Sequence, residues 1–77
     1  MTEEQVYGMP VSDRLAARQL TLAYLRDRVE RAAASVLRAK DGEFDKRHRT
    51  LTRVTSEYNE AQNGLGWVKF YDKAANQ

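Results

Sequence analysis

Seventy-seven residues with no cysteine, a single histidine (His48) and a net charge of +2 point to one domain with a thin core. Disulfide staples are impossible, and a zinc site of the usual Cys/His kind lacks its ligands. So small a positive excess does not by itself imply a nucleic-acid or membrane partner, which leaves self-association or a partner protein as the route to more buried area.

Residues 1–11 carry Glu3 and Glu4 and no apolar run, so they do not read as a signal peptide and are expected to form an extended N-terminal arm. No stretch of about 18 apolar residues is present to span a membrane. The lack of cysteine suits a reducing compartment, and the expected location is the cytoplasm or the inside of a viral particle.

Pro10 stands just before Val11-Ser12-Asp13, and no breaker follows until Lys40. Ser12 is the expected N-cap of a first helix over about 13–40, with Asp13 complementing the positive end of its dipole and Val11 packing back as a staple. Leu15, Leu22, Val29 and Val36 recur every seven residues, with Leu25, Ala32 and Ala39 at the alternate spacing. These are the a and d positions of a heptad, and Arg18, the charged member of the d series, marks where the seam opens.

Asp41-Gly42 supplies a left-handed position to end that helix. A second helix is expected over about 43–63, with Glu43 and Asp45 in its first turn, a seam of Phe44, Leu51, Tyr58 and Leu65 with Val54 and Ala61 between, and a stop at Asn63-Gly64-Leu65-Gly66. Glu43 with Arg47, Asp45 with Arg49, and Arg53 with Glu57 have the spacing of helical ion pairs. So short a connection forces the helices antiparallel, giving an all-α, coiled-coil-like two-helix hairpin over 12–66.

Such a hairpin brings both chain tails to one end: Val6, Tyr7 and Met9 meet the aromatic tail over 67–77, with Trp67, Val68, Phe70 and Tyr71. Leu20 and Tyr24 lie off the seam near that end and need a cover. The simpler expectation is that the tail folds over them as a satellite core. In the functional alternative, Leu20, Tyr24, Trp67, Phe70 and Tyr71 form an aromatic anchor for a protein partner or a second copy of the chain.

At the other end Arg38, Lys40, Lys46, Arg47, His48, Arg49 and Arg53 crowd into one short stretch. Arg38, Lys40, Lys46, Arg47, Arg49 and Arg53 are candidates for gripping phosphates. Asp41, Glu43 and Asp45 are interleaved with them, however, and no aromatic platform other than Phe44 is near, so a solvated, self-paired charge face is the plainer reading. His48 has no nucleophile or orienting carboxylate at a useful spacing, since neither Ser35 nor Ser56 is so placed, and Gly64-x-Gly66 follows a helix where a phosphate loop would follow a strand. No catalytic, cofactor or metal site is expected. The composition fits a non-catalytic interaction protein, such as a small phage or bacterial accessory, assembly or inhibitor protein, that binds a larger protein or itself. Nucleic-acid binding at the basic tip is the alternative.

Overall fold

Val11 to Leu37 contains neither glycine nor proline and is rich in alanine, leucine and arginine, the residues that lose least on entering a helix. In the computed structural model, which describes residues Met1–Gln77, this stretch is one continuous helix, and every regular element of the chain is helical. In chain order these are α1 (Glu3–Tyr7), α2 (Val11–Leu37), α3 (Phe44–Ala61), a 3₁₀ turn over Val68–Phe70 and α4 (Tyr71–Ala75).

The start of α2 differs from the expectation. Pro10 takes the cap position with φ −55° and ψ 148°, and Arg14 donates its amide to the Pro10 carbonyl at 3.0 Å. Ser12 therefore lies inside the first turn and caps nothing, because the fixed φ of proline has already aimed the chain into the helix two residues earlier. The far end also comes sooner, at Leu37, where the Arg38 amide reaches the carbonyls of Ala34 and Ser35. Gly42 does adopt the left-handed conformation, with φ +88°, but in a separate turn closed by Glu43 N–H donating to the Lys40 carbonyl at 2.9 Å. Three residues past α3, Gly64 is left-handed as well, with φ +51°. Gly66 then passes so close to α3 that any Cβ there would collide with the Glu60 carbonyl oxygen.

α2 packs along α3 with the chain reversed in hairpin-like fashion. Arg47 reaches Ser35 at the turn, Arg28 reaches Glu57 midway, and Arg18 reaches the Gln62 carbonyl near the other end. The buried edge of α2 consists of Ala17, Thr21, Leu25 and Ala32, facing Val54 and Ala61 of α3. Thr21, the one buried polar residue, donates its hydroxyl to the Ala17 carbonyl at 2.8 Å and so satisfies itself within its own helix.

This seam corrects the heptad assignment. Leu25, Ala32, Val54 and Ala61 are in it, but the a series is rotated to one side: Leu22, Val29, Val36, Leu51 and Tyr58 are half-buried, while Leu15 and Phe44 are 52% and 53% exposed. The small side chains of Ala17, Thr21, Ala32 and Ala61 explain the rotation, since helices approach most closely along an edge without bulk.

Neither tail is extended. Thr2 and Gln5 form a reciprocal capping box, Gln5 N–H to Thr2 Oγ1 at 3.3 Å and Thr2 N–H to Gln5 Oε1 at 2.9 Å, which starts α1 where an arm was expected. After Gly66 the chain winds through the 3₁₀ turn into α4, which packs on α2. The main hydrophobic cluster lies where these pieces meet, and joins Val6, Ala17, Leu25, Ala61, Trp67, Val68 and Phe70.

Candidate functional site

The two groups of residues singled out by sequence occupy opposite ends of a body 50 Å long and 17 Å across. At the end holding the tails, Trp67 is 1% exposed and Phe70 is buried too, so both indole and phenyl rings belong to the chain's own interior. Tyr71 sets its ring edge-on to Trp67 at 6.3 Å and is half-buried. Tyr24 is half-buried beneath the Arg28 guanidinium, which sits 5.6 Å from the ring centre and also contacts Glu57 at 3.4 Å. Of the five proposed anchor residues, Leu20 alone is exposed. Lys69 pairs with Glu60 at 2.6 Å across the outside, fastening the tail to α3.

At the basic tip the residues divide. Arg47 is a clip: one guanidinium nitrogen donates to the Ser35 carbonyl at 2.9 Å and another to Glu43 at 3.0 Å, tying the start of α3 to the last turn of α2. The remaining pairs expected from spacing are absent. Arg49 donates to the Asp45 backbone carbonyl, and Glu57 turns across the seam to Arg28 and away from Arg53. Arg38, Lys40, Lys46, Arg49 and Arg53 are thus exposed with no carboxylate at ion-pair distance, so the tip is less self-neutralised than the interleaved acids suggest. His48 stacks on Phe44 with ring centres 5.6 Å apart, and no acid or hydroxyl side chain is bonded to its ring.

Arg47 and Arg49 give a sharp contrast. Arg47→Gln is expected to cost about 1 to 2 kcal/mol, because a charge-assisted bond to a carbonyl in the last turn of α2 is lost at a partly covered position together with the pair to Glu43. Arg49→Gln should stay within about 0.5 kcal/mol. Urea unfolding of both variants decides this, and equal midpoints would remove the clip.

Sequence periodicity identified the remaining surface but misplaced it. Successive helical residues are turned by about 100°, so Val11, Leu15, Leu22, Val29 and Val36 fall within about 60° of one another on α2, and Phe44, Leu51 and Tyr58 within about 40° on α3. Leu22 and Tyr58 line one shallow groove with Ala23, Gln19, Arg26 and Glu30, so both stripes open to the same side of the helix pair. That side ends in Val11 (64% exposed) and Leu15 near the tails and in Leu37 (87%) and Phe44 at the tip. The groove on the other flank at the tip is polar, with Ser35, Lys46, Arg47 and Thr50.

No family model matches this chain, and no curated protein or solved structure is detectably similar to it. No helix is long and apolar enough to cross a membrane, and nowhere do three acidic or histidine side chains converge on a common point.

Proposed function

We propose that this chain is a non-catalytic helical interaction protein that works in an accessory, assembly or inhibitor role by docking the apolar side of its helix pair onto protein. The observation that carries this is the row of large apolar side chains left outside the seam. In a chain whose own core is so thin, Val11, Leu15, Leu37 and Phe44 remain more than half exposed. An apolar stripe that runs the length of a small protein and is rimmed by polar groups marks an interaction surface. Affinity capture from the native host lysate tests it, using the wild-type chain beside a Leu15→Gln, Leu37→Gln double variant, with and without nuclease. Partner proteins should be retained by the wild type after nuclease and lost by the variant. Retention by both, or loss on nuclease treatment, overturns the reading.

A second reading, nucleic-acid binding at the tip, draws support from the five cations there without an acidic partner. Binding of that kind should weaken steeply with salt as phosphate counterions are displaced and should fall on Lys46→Gln with Arg49→Gln. Failure to bind duplex or single strands at about 50 mM salt excludes it.

A further inference from the structure

We infer that the flank of the tip opposite the apolar side is a backbone contact for duplex nucleic acid, with Lys46, Arg49 and Arg53 of α3 and Arg38 at the end of α2 gripping phosphates without regard to base sequence. The inference deepens the second reading above by naming the surface and the form of the nucleic acid.

Charge is unevenly divided along the chain. Residues 38–53 hold six basic and three acidic side chains, against seven and eight in the remainder. Ion pairing sharpens the difference. Glu43 is taken up by the Arg47 guanidinium at 3.0 Å and by the Lys40 amide at 3.2 Å. Farther along the same flank, Glu57 is held by Arg28, Glu60 by Lys69 and Asp27 by Arg31. Asp41 and Asp45 remain as the free acids of the tip, against the five free cations there. Asp41 stands in the turn, and helical rotation puts Asp45 on the far side of Arg49 from Lys46 and Arg53.

Helix geometry lines the cations up. Lys46, Arg49 and Arg53 fall within about 60° of one another and span roughly 10 Å of α3, the axial rise of about three phosphates on one strand of a duplex. Beside this row lies the polar groove, walled by Lys46, Arg47 and Thr50 on one helix and by Ala32 and Ser35 on the other. Ser35 gives its carbonyl to Arg47, and its hydroxyl, bonded to no other group of the chain, is free to donate to a phosphate oxygen. Arg38 follows Ser35 within about 60° on α2, exposed and unpaired, and supplies the cation of the opposite rim.

The groove holds no large apolar side chain, the anchor that a protein partner needs, whereas phosphate contacts require only charge and hydrogen-bond donors. This separates the flank from the apolar side. Phe44 and His48 stack on each other on the far side of α3, so the cation row offers no ring to an unstacked base. A duplex, with two charged strands and its bases already stacked, is the form that such a surface holds best.

Fluorescence anisotropy with labelled short duplexes of two unrelated sequences tests this, beside a single strand of equal length and poly-glutamate. Both duplexes should bind equally and more tightly than the other two probes. Four phosphate contacts predict a slope of about −3 to −4 for log affinity against log salt, and each of Lys46→Gln, Arg49→Gln and Arg53→Gln should lessen it by about 1. Lys73→Gln, which removes an exposed cation at the opposite end, should change nothing, and circular dichroism should show the same helicity in all four variants. Duplex binding that the three tip variants leave unmoved overturns the surface while keeping the second reading. Tighter binding of the single strand overturns the duplex, and equal binding of poly-glutamate overturns nucleic acid in favour of an acidic protein. If neither duplex nor single strand binds at about 50 mM salt, the second reading falls and this inference with it.

Discussion

Trp67→Ala is expected to be the most damaging single substitution in the chain, at about 3 to 5 kcal/mol. The indole is almost wholly enclosed, in one cluster with Val6, Ala17, Leu25, Ala61, Val68 and Phe70, a core to which α1, both long helices and the tail all contribute. Its carbonyl also accepts the Phe70 amide at 3.0 Å, which fixes the 3₁₀ turn beneath it. Domains are commonly stable by roughly 0.05 to 0.15 kcal/mol per residue, which for a chain this short leaves a margin that the loss of one tryptophan consumes in large part. Urea titration followed by circular dichroism measures the change. Truncation after Gly66 should cost at least as much, since it removes Val68, Phe70 and Ala74 in addition. A Trp67→Ala midpoint close to wild type would mean that the tail is not part of the core.

The second large effect is at Leu25, where truncation to alanine should cost about 2 to 5 kcal/mol. Leu25 sits at the middle of the seam with 1% of its surface exposed, and its neighbours Ala17, Thr21 and Ala32 are too small to collapse into the space it vacates. Leu15 is the control. It is also a leucine of α2 on the heptad spacing, yet half its surface is in solvent, and at concentrations where only single copies are present Leu15→Ala should cost less than about 1 kcal/mol. Equal costs at the two positions would restore the a series to the seam.

That comparison shows what could and could not be read from the residues alone. α2 and α3 were legible because a long run without glycine or proline, followed by Gly42 in one case and Gly64 in the other, leaves few alternatives. The register of their contact was not. A seven-residue period reports a stripe of leucines and valines, but which edge of that stripe faces the neighbouring helix is set by Ala17, Thr21, Ala32 and Ala61, residues with little hydropathy signal and much effect on how closely two backbones approach. α1 had a visible signal in Thr2-x-x-Gln5, overlooked because five residues are too few to display a period. α4 and the 3₁₀ turn have no side-chain cap at all. They are helical because Trp67, Val68, Phe70 and Ala74 are held against α2 and α3, a long-range cause with no local mark. At the tip, the spacing of Arg53 and Glu57 suggested a pair, but Arg28 from the facing helix took the carboxylate, and Arg47 bonds the Ser35 carbonyl of α2 as well as Glu43.

The cluster around Trp67 also fixes an order of events. Val6 and Trp67 lie in one cluster although most of the chain separates them, and closing so long a loop from the unfolded state costs about 3 to 4 kcal/mol before any contact offsets it. Once the turn at Gly42 has formed and α2 has zipped along α3, both ends are already delivered to the same place and the remaining closure is short. The tails are then the last pieces to dock and the first to leave. Loss of the indole should accordingly hasten unfolding and leave the refolding rate nearly unchanged, while loss of Leu25 should slow refolding. The core of this protein is thus a latch, closed after the frame is built, and its lifetime in the folded state is governed by how firmly one tryptophan is held.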